Sequence, residues 1–451
     1  MHVHFKFLSR IWDRLHSSFW FLPSVMALLA VTTAIVLILL DALYATRLGW
    51  FNDWTYAFDP ESARAILSAI AGSMITVAGV TFSMTMLTLQ LASSQFGPRM
   101  LRNFMRDRGN QIVLGTFLST FVYCLFVLAS VRGAEEASFV PLLAVTFGMI
   151  LAVASLATLI YFIHHIATSI RIETILAKLA DEACQTVDRV FPEHGHSRAL
   201  LPEKPIAEVL PPHFDDDSRS VVASGSGYIQ SIDLDRLLRV ANDHDLVVRV
   251  EGRIGRFIPS AGPLVIASPY GRVSDAVAED LENAFAFGPE RTPEYDIEFS
   301  LRRIVEIAQR ALSLGINDPT TALYCLDRLG EVLRLLADRR MPSGRIMDQD
   351  MKLRVIFEPL NFADLACLAF AAVARYGIED DDLVTRLMDV MERCSRSAPA
   401  QDREKIMRLH GTISLKSIGL GSLNAADATR STEAEGPEAD RGLAKGTAQK
   451  A

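Results

Sequence analysis

Hydrophobic and polar positions divide this chain into two regimes. Through residue 163 the pattern is made of long apolar runs, Phe19–Leu40, Ile66–Ala92, Ile112–Val131 and Val140–Ile163. A hydrocarbon core of about 30 Å takes ~20 helical residues, so each run is long enough to cross one. The first run is too long for the apolar region of a signal peptide and no A-x-A site follows it, so a retained anchor is expected. After His164 and His165 the helical pattern continues to about Val190, as if one helix left the membrane.

Beyond that point the periodicity changes. Five prolines punctuate residues 192–218, the mark of a linker. Residues 219–273 read as strands around one helix that Asp233 can cap, with Arg256-Phe257-Ile258 and Leu264-Val265-Ile266 forming a hairpin across Pro-Ser-Ala-Gly-Pro. Residues 274–415 read as helical, and 416–451 as a disordered tail. The expected fold is an α-helical integral membrane domain (1–18 a leading segment, 19–163 four spans, 164–191 an exit helix), followed by an α+β region: a small mostly-β module and a helical domain.

The second span is the least ordinary. At 100° per residue, Gly72, Thr76, Gly79, Ser83 and Gln90 fall on one stripe, and Thr81, Thr85, Thr88, Ala92 and Gln95 on the opposite one. Close packing explains small residues at four-residue spacing. The sharper expectation is that one stripe packs while the other lines a polar path in an oligomer, with Thr76, Ser83, Gln90 and Gln95 as candidate residues. No Asp, Glu, Lys, Arg or His lies in that span, which argues against a proton relay through it.

Composition sharpens the division. The chain has 451 residues, half of them hydrophobic and 22% charged, with a net charge of −8. Residues 1–170 hold ten Lys and Arg against eight Asp and Glu, and the remainder 35 against 45, so nothing suggests nucleic acid as a partner. Lys6, Arg10 and Arg14 precede the first span, and Arg99, Arg102, Arg106 and Arg108 follow the second. Alternation of positive and non-positive loops places both termini and the polar half in the cytoplasm. Pro98 can open a short helix whose Arg99, Arg102, Arg106 and Arg108 suit anionic lipid headgroups. Five scattered cysteines fit reduced thiols. No zinc motif, nucleophile elbow, Walker loop or dinucleotide fingerprint is present, so no cofactor or metal is expected and an enzyme ranks last among the functional readings.

Two polar motifs in the helical region stand out. Arg291-Thr292-Pro293-Glu294-Tyr295-Asp296 precedes one helix, and Asn317-Asp318-Pro319-Thr320 precedes the next. Turn formation and capping by Asp318, with Pro319 in the first helical position, account for the second. The functional alternative is a pocket in which Arg291, Thr292, Asp296, Asn317, Asp318 and Thr320 converge.

The run Met84-Thr85-Met86-Leu87-Thr88-Leu89-Gln90-Leu91-Ala92-Ser93-Ser94-Gln95-Phe96-Gly97-Pro98-Arg99 and the run Arg310-Ala311-Leu312-Ser313-Leu314-Gly315-Ile316-Asn317-Asp318-Pro319-Thr320-Thr321-Ala322 together carry a resemblance. Over residues 15–415 the chain resembles the bacterial predicted membrane proteins called domain of unknown function 2254. Members often have Pro where this chain has Leu314. The resemblance implies an inner-membrane protein with a cytoplasmic C-terminal half, and it implies no activity. From the residues, the leading expectation is an oligomeric channel or transporter for an ion or small solute, regulated by its cytoplasmic half. The alternative is a membrane-anchored sensor or scaffold without transport.

Overall fold

The computed structural model describes residues 20–44, 59–96, 107–132, 139–169, 171–191 and 210–434. The chain divides into two compact units, Met1–Ile175 and Leu176–Ala451.

The first unit holds four helices long and apolar enough to cross a membrane: α1 (Phe21–Tyr44), α2 (Pro60–Phe96), α3 (Arg108–Ser130) and α4 (Leu142–Ser169). α3 is central and packs against each of the other three. Gly115 permits this approach, because a Cβ there would lie 2.5 Å from Met26 Sδ and 3.3 Å from Pro23 Cα. The apolar contact alone discriminates poorly between helices surrounded by equally apolar lipid, so polar ties set the arrangement. Thr120 and Ser155 share a buried hydroxyl hydrogen bond of 3.1 Å between α3 and α4. The Tyr123 hydroxyl donates to the Ala144 carbonyl at 2.8 Å. The Asp41 carboxylate near the end of α1 accepts from the Leu143 and Ala144 N–H groups, capping the first turn of α4.

The expected continuous exit helix is interrupted. α4 ends at Ser169, Arg171 is not helical, and α5 (Ile172–Val190) begins anew. The Thr168 hydroxyl donates to both the His164 and His165 carbonyls, a back-bonding that bends helices.

In the second unit, beyond α5, a turn tucks Phe214 into the core, so the part of the expected linker from 210 to 218 is folded. Arg249 lies over the Phe214 ring and pairs with Asp215. The strands are β1 (Arg219–Val222), β2 (Gly227–Ile232), β3 (Val247–Val250), β4 (Phe257–Ile258), β5 (Pro263–Ser268), β6 (Phe285–Gly288), β7 (Arg345–Met347) and β8 (Leu353–Ile356). They form a five-stranded sheet in the order β1-β5-β3-β8-β7 and a three-stranded sheet in the order β4-β2-β6. β3 and β8 pair in parallel and the other pairs are antiparallel.

This arrangement corrects the expected module in two respects. β4 and β5 do not form a hairpin: β4 pairs with β2, and β5 with β1 and β3. The Pro259–Gly262 turn, with Ala261 at φ 61°, carries the chain from one sheet to the other. Nor do the sheets end at residue 273, because β6, β7 and β8 come from the stretch read as helical. These strands are three or four residues long, too short to display a period of two against the surrounding helices.

The helices of this unit are α6 (Leu234–Asp243), α7 (Asp275–Glu282), α8 (Ile297–Ala311), α9 (Pro319–Ala337), α10 (Phe362–Gly377), α11 (Asp381–Ser397) and α12 (Ala400–Ala434). Asp233, Ser274, Asp296, Asp318, Asn361 and Asp380 cap six of them, each side chain accepting the N–H three residues on. Leu237, Leu246, Val248, Leu264, Val265 and Val355 form a core between sheet and helices. The expected disordered tail is helical in its backbone from 416 to Ala434. No proline interrupts α12, and its last turns are rich in alanine, the strongest helix former. Residues 435–451 lie outside the described ones.

Arg354 ties β8 to its surroundings. Its guanidinium pairs with Asp348 and Asp245 at 2.7 Å each, and Arg272 joins Asp245. Desolvation raises the Asp348 carboxyl, but the Lys352 N–H and Arg354 outweigh it and hold it below the usual range. Hydrogen bonds from Arg354 and Arg272 hold Asp245 low as well. A lowered carboxylate contributes stability above its unfolded value of about 3.9 and loses it as pH falls through the folded value. Arg354→Met is therefore expected to destabilise the second unit at pH 7. In urea-induced opening followed by amide exchange of β8, the penalty should shrink below about pH 4. A penalty independent of pH would show that lost packing, not charge, carries it.

Candidate functional site

In the first unit, the two polar stripes of α2 have opposite fates. Thr81 and Thr88 are buried, and with Ala71 and Ala78 they mark the face turned into the bundle. Gly72, Thr76, Gly79, Ser83 and Gln90 are all exposed. A Cβ on Gly72 or Gly79 would meet open space. A shallow groove of about 540 Å³ follows this face, lined by Thr76, Gly79 and Ser83 with Ile75, Val80 and Leu87 on its flanks. The Thr76 hydroxyl bonds back to the Gly72 carbonyl at 2.8 Å. The Gln95 side chain, and Arg99, Arg102 and Arg106 of the expected basic helix, lie outside the described residues. Arg108 is exposed as the first residue of α3.

At the start of α3, Asp107 accepts from the Gly109 N–H, and its other oxygen lies 3.0 Å from His165 Nε2 of α4. The His165 ring stacks on Tyr161. Sequence reasoning did not bring His165 and Asp107 together as a pair. Asp107 before a helical run was the one signal for it, as an N-cap.

In the second unit, the two motifs near 291 and 317 do not converge. Asp296 caps the start of α8, whereas Asn317 and Asp318 follow its end. Fifteen helical residues separate them, about 22 Å of rise. The second motif is a turn and a cap. Asn317 takes φ 49°, and Asp318 accepts from both the N–H and the hydroxyl of Thr321. Asn317 and Thr320 are exposed.

The first motif is a docking seat. Arg291 makes a two-pronged ion pair with Asp296 at 2.8 and 2.9 Å, while Asp296 also caps Phe299. Burial lowers the Arg291 guanidinium, but the Asp296 hydrogen bond and the charges of Asp296 and Glu298 outweigh it and hold it above its usual value. Holding this turn closed presents its carbonyls to α5. The Thr186 hydroxyl donates to the Pro293 carbonyl at 2.8 Å, and Arg189 donates to the Glu294 carbonyl at 2.9 Å while lying over Tyr295. Thr292 is half-buried in the same turn. Glu182 pairs with the buried Arg303 of α8, and Asp188 with Arg339.

Behind this turn lies a polar cavity of about 400 Å³, lined by Arg253, Gly255, Arg256, Arg291, Glu298 and Glu358. Gly255 takes φ +82°, and its backbone rests directly on the Arg291–Asp296 pair. Glu298 is held by Arg302 at 2.9 Å, Arg253 at 3.4 Å and Arg291 at 3.8 Å. Sequence reasoning missed Arg253, Arg256 and Glu358. The run Gly252-Arg253-Ile254-Gly255-Arg256 is suggestive only once its neighbours are known. Among the described residues no group of three His, Cys, Asp or Glu side chains is placed to hold a metal ion.

Comparison with known proteins finds relatives in mycobacteria. Uncharacterized proteins of Mycobacterium bovis and Mycobacterium tuberculosis are each 32% identical over 394 residues, 86% of this chain and 73% of theirs. No solved structure matches. The family model described as a predicted membrane protein, domain of unknown function 2254, matches residues 16–393. With most of its length matched and four helices fit to cross a bilayer, the chain belongs to this family of predicted membrane proteins.

Proposed function

We propose that the protein is an oligomeric channel or transporter for an ion or small solute in the bacterial inner membrane. Both termini and the second unit lie in the cytoplasm in this reading, following the positive-inside pattern of the loops. The observation that carries it is the uncovered stripe of Gly72, Thr76, Gly79, Ser83 and Gln90 on α2. Thr76 and Ser83 fall well inside the apolar stretch Pro60–Leu91, and Ser83 has no hydrogen-bond partner among the described residues. Polar groups left unsatisfied in hydrocarbon cost several kcal/mol in order of magnitude, ~2–7 for a hydroxyl or amide. Copies of the chain meeting along this stripe would remove it from lipid, and the glycines let backbones approach closely. Water along the same face would then satisfy Ser83 and Gln90, giving a neutral polar path.

Purified protein in a planar bilayer under a KCl gradient is expected to give discrete currents, and the reversal potential gives the ion's sign. Gln90→Leu is expected to alter unitary conductance several-fold. Ser83→Cys is expected to cross-link between copies under mild oxidation. Silence from well-folded protein, with the second unit both bare and exposed to cell extract, would move the reading to a membrane-anchored sensor or scaffold. The second unit's own cavity beside the seat of α5 supports that alternative.

A further inference from the structure

We propose that the cavity behind the Arg291–Asp296 turn binds a small zwitterion of the α-amino-acid type, its carboxylate on Arg256 and its ammonium group on Glu358, and that binding tightens the seat of α5. The cavity, about 400 Å³, lies in the size range of small-molecule sites.

Its charges are not all spent on one another. Asp296 is engaged by Arg291, and the Glu298 carboxylate is surrounded by Arg253, Arg291 and Arg302. Two lining groups remain. Arg256 donates to the Glu251 carbonyl at 3.1 Å and has no carboxylate partner among the described residues. Glu358 is exposed and has no cationic partner among them. One cation and one anion thus face the same space without meeting. A bare anion entering there would be repelled by Glu358, and a bare cation by Arg256. A molecule carrying both charges satisfies both, and the guanidinium fork is matched to a carboxylate.

The same geometry supplies a consequence. Arg291 lines the cavity and closes the turn whose Pro293 and Glu294 carbonyls hold Thr186 and Arg189. A ligand that packs against Arg291 therefore stabilises the form of the turn that grips α5. α5 also carries the boundary between the two units, after Ile175. The binding claim stands without the transport reading; only the regulation of a path by this site rests on it.

The test uses the full chain in nanodiscs. Isothermal titration with each of the twenty standard L-amino acids is expected to give saturable heat for at least one. Inorganic phosphate and propylamine, which carry one sign of charge each, are expected to give none. Arg256→Gln and Glu358→Gln, both at exposed positions that tolerate substitution, should each weaken binding at least tenfold, with Arg408→Gln on α12 unchanged. Bound ligand should slow amide exchange at residues 182–189. No saturable heat with any amino acid overturns the proposal, as does binding untouched by both substitutions, or phosphate binding as tightly as the amino acid. Unchanged exchange at 182–189 in the saturated protein overturns the link to α5. Bilayer silence with intact binding defeats the transport reading alone, and currents without binding defeat this one alone.

Discussion

Arg291→Met is expected to loosen the second unit by about 3 kcal/mol, because it leaves a nearly fully buried carboxylate without its cation. Asp296 would keep its bond from the Phe299 N–H, so α8 keeps its cap, but the turn loses its closing clamp. The reporter is Cys325. It is completely buried on α9, and burial pushes its thiol far up, so it reacts with a maleimide only when the unit opens. At ~1.4 kcal/mol per factor of ten, labelling should accelerate roughly a hundredfold. The double variant Arg291→Met, Asp296→Asn should recover most of this, since an amide caps a helix without needing a counter-charge. Labelling within threefold of the parent protein would show that solvent, not Arg291, satisfies Asp296.

Gly255→Ala is the second large effect, expected at about 2–4 kcal/mol. Two costs coincide. The residue sits at φ +82°, where an L side chain is strained, and its new methyl would lie 2.2 Å from Asp296 Oδ2 and 2.7 Å from the Arg291 guanidinium. Neither neighbour can step aside without breaking the ion pair. Amide exchange should therefore quicken at 291–299 and, through the Pro293 and Glu294 carbonyls, at 182–189. Gly225→Ala provides the contrast: a Cβ there meets open space, and the change should stay within about 0.5 kcal/mol. Equal effects at the two glycines would show that chain entropy, not the close approach, dominates.

Both substitutions act on one assembly: loop 252–256, the turn 291–296 and α5. Its parts were visible separately. The stretch Arg291–Asp296 stood out as unusual polar sequence, and α5 as a helix continuing the last apolar run. That the turn serves as a seat for α5, rather than sharing a pocket with Asn317 and Thr320, follows from the length of α8 between them. The two motifs are 20 to 30 residues apart in a chain that is helical in between, so their separation was calculable. The neighbours brought in from residues 253, 256 and 358 were not.

The sequence by itself determined what local physics determines. Long apolar runs set the four candidate spans, and side chains of Asp, Asn and Ser placed the caps at 233, 274, 296, 318, 361 and 380. A repeat of 3.6 residues put two polar stripes on opposite faces of α2. The tertiary structure decided which stripe is used internally: Thr81 and Thr88 are buried, while Thr76 and Ser83 stay uncovered. It also decided that β8, more than 100 residues downstream, pairs in parallel with β3, and that β4 and β5 part into separate sheets. Periodicity fixes the face a residue occupies on its own element. Which element covers that face depends on contacts between distant segments, and a strand of four residues carries too little pattern to name its partner.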